Sequence, residues 1–223
     1  MRIDLKVELK VEDKEFKMNH STIQHIETNG YQVKSLFEML KDGTREMHRE
    51  IDLALPVMKQ DLTLDQYGAH LLNLLGFYIP LEEHIMSFMS EMHNWASFEM
   101  HRRLKSQLLI SDLIALGEMP TTLTQIPLCH EIRKINTVAE LAGVLYVIEG
   151  LTLTSQITQR KLKAQLLLDE KQIRYYTGYA GNTFEIWNKL RFQAENIVAD
   201  YEKSDAVRSA RYTFVSLMNW LKS

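Results

Sequence analysis

The apolar residues of this chain recur in steps of three and four along most of its length, and this spacing limits what it can fold into. The first such run, which stops at Pro56, consists of Leu36, Leu40, Met47, Ile51 and Leu55. Steps of three and four place side chains on one face of an α-helix. The 223 residues include only 9 glycines and 4 prolines. We therefore predict an all-α fold and not a turn-rich β fold.

Capping and breaking residues divide the chain into six to eight predicted helices. Pro80 should kink or break the second helix. The third should run from Trp95 to Leu116 and end at Gly117, and Thr137 should cap the next one. No linker or shift of composition interrupts residues 31–223, so we predict that they form one helical domain.

Residues 1–30 carry a different pattern. Charged residues alternate with apolar ones, which would share one face of a β-strand: Ile3, Leu5, Val7, Leu9 and Val11. A lone strand needs a partner, which could be a short return strand, the body of the domain or the same segment of a second copy in a homodimer. The other interpretation is an extension that is disordered in solution. In either case we treat residues 1–30 as an appendage.

Composition argues against several functional classes. Lys and Arg total 26 against 29 Asp and Glu, and they are spread along the chain, so no basic stripe indicates nucleic acid or an anionic membrane surface. The single cysteine, Cys129, cannot form an internal disulfide. No segment resembles a signal peptide or reaches the roughly 18 apolar residues of a membrane span. These features predict a soluble, cytoplasmic protein.

Among the eight histidines, His48 has the most informative surroundings. It lies at the edge of the apolar stripe of the first helix, and Asp52 follows one turn later on the same face. A histidine that binds a metal through one ring nitrogen is commonly oriented by a carboxylate at the other, although an exposed surface pair has the same spacing. No further cluster completes a protein-only metal site. A single protein ligand favours a prosthetic group such as haem.

Five segments of the helical region resemble a known family when they are taken together. They are LKDGTREMHREID at 40–52, YGAHLLNLLGFYIPLEE at 67–83, HRRLKSQLLISDLIALG at 101–117, AGVLYVIEGLTLTSQI at 142–157 and YYTGYAGNTFEIW at 175–187. In order and spacing they resemble the haem oxygenase family, and specifically its bacterial, biliverdin-producing branch. The resemblance implies a single all-α domain with haem between two helices.

The resemblance also implies roles for individual residues. The TRxxH motif of the family carries the proximal haem ligand, which here falls on His48, with Asp52 orienting its ring. Basic residues hold the haem propionates in this family. The candidates here are Lys41 and Arg45 on the proximal helix and Arg191 on a later one.

The distal helix departs from the pattern of the family. Its candidate site residues are Gly143, Tyr146, Gly150, Thr154 and Ser155. The branch reads roughly YVxEGSTLGG and this chain reads YVIEGLTLTS, so Thr154 and Ser155 replace a glycine pair and Leu151 replaces a polar residue. Two added Cβ atoms facing haem would push the helix away, and the new hydroxyls could replace the lost polar group. Gly143 and Gly150 share a face, which fits either a flat ring or tight helix packing.

Three functional hypotheses follow. The resemblance implies a haem oxygenase, in which haem is both substrate and cofactor, and O2 with a reductase or ferredoxin-type donor converts it to biliverdin, CO and ferrous iron. The second hypothesis is a non-catalytic haem or bilin binding protein, because of Thr154 and Ser155. The third is a helical scaffold or a thiaminase-like enzyme, which needs Cys129 as nucleophile. A buried, inert thiol is the better interpretation of that cysteine.

Overall fold

The computed structural model describes residues 34–91 and 98–222, and most of these are helical. Its eight helices are α1 (Leu36–Ala54), α2 (Leu64–Glu91), α3 (Ser106–Ala115), α4 (Pro120–Leu123), α5 (Val138–Leu166), α6 (Arg174–Thr177), α7 (Thr183–Ile197) and α8 (Lys203–Lys222). The described part contains no strand. The predicted all-α fold is confirmed. The predicted strand and the dimer it could form fall on residues 1–30, outside the described residues.

The first helix begins at Leu36 and ends just before Pro56, where the sequence predicts its end. Ser35 caps α1, and its hydroxyl and the Glu38 carboxylate form a reciprocal capping box. The backbone N–H groups of Leu36 and Phe37 each donate to the Glu195 carboxylate on α7, at 2.9 Å. These bonds satisfy amides that have no partner within the helix. The amino-terminal end of α1 is therefore fixed to α7.

The fifth helix is the centre of the domain. Thr137 caps it by accepting from the Glu140 amide at 3.1 Å, as predicted. It packs against α6, α7 and α8, and α8 also packs against α1. Its length and hydropathy would suit a membrane span, but 72% of its most apolar window is buried inside the protein. It is a core helix of this domain.

The second helix continues through Pro80, so the sequence-predicted alternative of a break there is wrong. A proline lacks the N–H that would bind the carbonyl four residues earlier, which here belongs to Gly76. The amide of Cys129 donates to that carbonyl instead, at 2.9 Å. Gly76 has no Cβ, and this lets the segment containing Pro127 come close enough to supply the bond. A tertiary contact thus satisfies the group that Pro80 leaves free.

The third helix is shorter than predicted, because it starts at Ser106 and not at Trp95. Glu99 has a φ of 46°, which interrupts a helical path before it. The Glu82 carboxylate accepts from the amides of Lys105 and Ser106 and from the Ser106 hydroxyl, and these bonds start the helix there. The predicted end is confirmed, since Gly117 follows with a φ of 102°.

Gly143 provides a test of how closely α5 and α8 pack. A Cβ at this position would overlap the Ala206 carbonyl oxygen and lie 2.9 Å from the Ala210 nitrogen, both in the α8 backbone. We expect Gly143→Ala to lower the free energy of unfolding by about 1–3 kcal/mol, because backbone cannot give way as a side chain can. Thermal or chemical unfolding followed by circular dichroism measures this change.

Gly68→Ala is the matched control, because a Cβ there meets nothing within 4 Å. This change should leave stability unchanged or raise it by roughly 0.5–1 kcal/mol, the ordinary gain for glycine to alanine in a helix. Equal effects of the two substitutions would contradict the close α5–α8 contact.

A buried histidine joins α2 to α6. His70 Nε2 lies 2.7 Å from the Tyr176 hydroxyl, and complete burial lowers the pKa of His70 to about 4. The folded protein therefore binds fewer protons at this residue than the unfolded chain between about pH 6.5 and pH 4. Stability should be lost as the pH falls through this window, with a contribution from His70 of roughly 2–3 kcal/mol.

The measurement compares the free energy of unfolding at pH 7.5 and pH 4.5 in the wild type and in His70→Gln. The substitution should make the difference between the two pH values smaller. His101→Gln, at an exposed residue, should keep the wild-type difference. An unchanged pH dependence in His70→Gln would contradict the assignment.

Candidate functional site

The candidate site is built around His48, which α1 directs toward α5. Its Nε2 atom lies 3.3 Å from the Tyr146 hydroxyl on α5. The imidazole ring also meets the Phe214 ring of α8 edge-on, with centroids 4.6 Å apart. Burial lowers the pKa of His48, so the ring is neutral at neutral pH. Neutral imidazole is the form that binds a metal ion.

Gly150 lies opposite His48 on α5. A Cβ at Gly150 would be 3.6 Å from Cε1 of His48 and 3.9 Å from the Trp187 ring. Tyr146 precedes Gly150 by one helical turn and shares its face. The structure thus brings together three predicted site residues, His48, Tyr146 and Gly150.

Sequence reasoning missed the aromatic side chains that surround these three. Phe37 and Trp187 each meet the Tyr146 ring, with centroid distances of 5.6 Å in both cases, and they meet each other at 5.4 Å. Phe37 stands eleven residues before His48, close to three turns of helix, and so shares its face. That spacing was a usable signal. Trp187 closes the fifth family-like segment but carries no spacing signal of its own.

We call the space between α1 and α5 at His48, Tyr146 and Gly150 the cleft. A cavity of about 200 Å³ lies farther along, and neither His48 nor Gly150 lines it. Its lining includes Leu55, which follows the last residue of α1, and Leu151, next to Gly150 on α5. The other lining residues are Met58, Leu74, Thr152, Thr154, Ser155, Ile157, Thr158, Tyr175, Tyr176 and Leu217. The wall is mainly apolar, with hydroxyl groups on the α5 side.

Thr154 and Ser155 both line this cavity, but from different faces of α5. Thr154 is exposed and lies about 40° round the helix from Gly150, while Ser155 is buried and about 140° away. The Ser155 hydroxyl donates to the Thr152 carbonyl at 2.6 Å. Gly178, with a φ of 54°, packs against the side chains of Thr152 and Ser155. Only Thr154 therefore adds a side chain near the face that Gly150 presents to His48.

Gly143, which was predicted to line the haem site, packs against α8 in this structure. Its face of α5 meets the backbone of α8 and leaves no space for a ring. Gly143 and Gly150 do share a helix face, but α8 crosses that face at one position and α1 at the other. Tight helix packing, the other interpretation of this glycine, is what the structure has.

The predicted cations lie on the surface. Lys41, Arg45 and Arg191 are exposed, and Arg45 forms an ion pair with Asp42 at 2.7 Å on the same helix. Arg191 lies on α7 close enough to Glu38 to lower the pKa of that carboxyl, after larger effects from Ser35. The Asp52 side chain lies outside the described residues, so its bond to His48 stays a prediction.

A group of buried charged side chains, which sequence reasoning also missed, surrounds Glu149 of α5, and we call it the ion group. Glu149, next to Gly150, lies 3.4 Å from Arg103 and 3.5 Å from Lys105, and all three side chains are at most 2% exposed. The Tyr179 hydroxyl donates to Glu149 at 2.8 Å. Removing one partner of such a group leaves an uncompensated buried charge. The group therefore fixes the register of α5 at Gly150.

The donor chemistry of the cleft fits haem. Within residues 34–91 and 98–222, no three His, Cys, Asp or Glu side chains meet as a metal site, so His48 would be a single protein ligand. A flat ring needs about 3.5 Å on each side. A Cβ built at Gly150 would already lie 3.6 Å from Cε1 of His48, so the space between the two residues is smaller than a ring needs. A porphyrin could therefore enter only if α1 and α5 separate around His48.

Cys129 is buried, with 4% of its surface exposed, and its sulfur lies 3.9 Å from the Ser216 hydroxyl. It lines neither the cleft nor the cavity beyond it. The interpretation of Cys129 as a buried thiol is confirmed, and the thiaminase-like hypothesis gains no support from this residue.

Comparisons with known proteins agree with this architecture. Two solved structures share the fold. A haem oxygenase from Leptospira interrogans has 21% identity and a TM-score of 0.68, and the match covers 84% of this chain and 98% of that one. Haem oxygenase-1 from the cyanobacterium Synechocystis, in complex with haem, has 18% identity and a TM-score of 0.66, and the match covers 85% of this chain and 91% of that one. No curated protein sequence matches. The family model described as "Heme oxygenase" matches residues 34–223. The chain belongs to the haem oxygenase family.

Proposed function

We propose that this protein cleaves haem to biliverdin, CO and ferrous iron, with His48 as the protein ligand of the iron. The observation that carries the proposal is the meeting of a neutral, half-buried imidazole on α1 with a glycine on α5. Family membership supports the reaction class, and the haem complex of the Synechocystis relative supports haem as the ligand. An external reductase or ferredoxin-type donor and a cytoplasmic location are parts of the proposal.

The proximal residues would hold the group. His48 supplies Nε2, and Asp52 would orient the ring by accepting from Nδ1. Lys41, Arg45 and Arg191 are exposed and carry long side chains that can reach propionates, although Arg45 would have to leave Asp42. Bound haem supplies the iron centre at which O2 is reduced and the ring is oxidised.

The distal residues would shape the other side of the cleft. Gly150 removes a side chain where the backbone of α5 must come close, and the ion group at Glu149 keeps that backbone in place. Trp187 and Phe214 surround the cleft with apolar surface that excludes water. The Thr154 hydroxyl, which donates to the Leu151 carbonyl at 3.2 Å, is the polar group nearest to the face of Gly150 on its carboxyl-terminal side.

A second candidate is a haem or bilin binding protein without turnover. The specific observation behind it is the position of Thr154 on the face of α5 that Gly150 presents to His48. A side chain there narrows the cleft and could hold α5 too far from the ring for the reaction. The two candidates share haem binding and differ in product.

The role of His48 as the iron ligand can be tested by absorbance. Purified protein titrated with hemin should give a sharp Soret band, and His48→Ala should weaken or remove it because the axial nitrogen is lost. His101→Ala, an exposed histidine outside the cleft, is the matched control and should titrate as the wild type does. Equal Soret bands in the wild type and His48→Ala would contradict the assignment of His48.

The same sample separates the two candidates. Under air, ascorbate or a ferredoxin system should replace the Soret band of the hemin-loaded wild type with a bilin spectrum. Intact haem after this treatment would favour the binding protein over the enzyme.

The replaced glycine pair, Thr154 and Ser155, allows a separate test. Thr154→Gly should raise the hemin affinity or the rate of bilin formation, because it removes the one added side chain near the face of Gly150. Ser155→Gly should leave both close to wild type, since Ser155 lies under Gly178 and bonds to its own helix. Soret titration and single-turnover absorbance measure the two quantities. A larger effect from Ser155→Gly would contradict the geometry of the cleft.

A further inference from the structure

The Tyr146 hydroxyl lies directly in front of the nitrogen that the proposed function assigns to iron. It is 3.3 Å from Nε2 of His48. The Tyr146 ring is 5% exposed and meets the rings of Phe37 and Trp187. Ring packing therefore holds the hydroxyl at His48.

A ring nitrogen of neutral imidazole takes part in one in-plane interaction. If Nε2 is unprotonated, its lone pair accepts from the Tyr146 hydroxyl, and if it is protonated, it donates to that hydroxyl. In both tautomers the contact with Tyr146 engages the atom that would bind a metal. His48 can bind a metal through Nε2 only after this contact is broken.

The short distance between His48 and Gly150 imposes the same condition. A Cβ at Gly150 would lie at ordinary van der Waals distance from Cε1 of His48, so no flat ring fits between them. Tyr146 and Gly150 are one turn apart on one face of α5. A single displacement of α1 away from α5 at His48 therefore breaks the hydrogen bond to Tyr146 and, in the same movement, opens the space between His48 and Gly150.

We propose that the hydrogen bond between Tyr146 and His48 is a latch on the cleft, so that haem reaches His48 only when this bond breaks and α1 parts from α5. The inference rests on the proposed function for the identity of the ligand. It adds Tyr146 as a positioning residue that limits how fast and how tightly haem is captured.

Tyr146→Phe tests the latch, because it removes the hydroxyl and keeps the ring that packs against Phe37 and Trp187. In stopped-flow mixing with hemin, the Soret band of the variant should appear about fivefold faster than in the wild type, which is the factor for losing one neutral hydrogen bond. Tyr67→Phe is the matched control. It removes a buried hydroxyl that donates to the Gln172 carbonyl at 3.0 Å, and its rate should equal that of the wild type.

Nitrogen-15 NMR of the histidine rings, on protein purified without haem, provides a readout that needs no ligand. The Nε2 resonance of His48 should indicate a hydrogen-bonded nitrogen in the wild type and in Tyr67→Phe, and should shift in Tyr146→Phe. A free Nε2 in the wild type would overturn the latch without recourse to any variant.

The outcomes distinguish the latch from the proposed function. A Soret band that depends on His48 but forms at the same rate in the wild type and Tyr146→Phe overturns the latch and leaves the proposed function standing. A Soret band that forms equally well in His48→Ala overturns the assignment of His48, and the latch with it. Thermal unfolding of each variant at the wild-type temperature excludes loss of the fold as the cause.

Discussion

The burial of α5 is the constraint on which the rest of the structure depends. A long helix enclosed by three others must pair its polar side chains internally, since unpaired buried charge is costly. Glu149 meets this requirement through Arg103, Lys105 and Tyr179. Because those partners come from the loop before α3 and the segment after α6, the ion group also ties both connections to the centre of the domain.

Close helix packing around α5 depends on residues that lack side chains at particular points. Gly143 admits the backbone of α8, whereas a Cβ at Gly150 would only come into ordinary contact with the ring of His48 on α1. On α1 itself, a Cβ at Gly43 would overlap Val207 of α8. Helix α8 thus packs against both α1 and α5, which form the two walls of the cleft. The separation between α1 and α5 is set by α8 as much as by their own contact.

The sequence contains most of the fold and about half of the site. The stop at Pro56, the Thr137 cap and Gly117 locate helix ends correctly, because each acts through its own neighbours in the chain. The break predicted at Pro80 is absent, since the Gly76 carbonyl that Pro80 leaves free is satisfied by Cys129, which is distant in sequence. For the same reason local pattern could find His48 but not the buried ion partners of Glu149.

The family resemblance contributed what local pattern could not, and it has its own limit. It placed Tyr146 and Gly150 opposite His48, and the structure brings the three together. A sequence motif does not describe helical geometry, however, and treats Thr154 and Ser155 as one replaced pair. The helical geometry separates them by about 100°, so one adds bulk near the cleft and the other is buried under Gly178.

The way α1 is held determines how the cleft can open. Its amino-terminal end is fixed by the two bonds to Glu195, and its middle is packed on α8 at Gly43. Beyond His48 the helix ends in the short turn at Pro56–Met58, and Leu53 near that end is 81% exposed. Parting α1 from α5 at its first turns would break the two bonds to Glu195, whereas moving its last turns leaves these bonds in place and disturbs the contacts of His48 and of the fully buried Ile51. We therefore expect the cleft to open by a tilt of the carboxyl-terminal half of α1, which would widen the cavity behind Leu55 in the same movement.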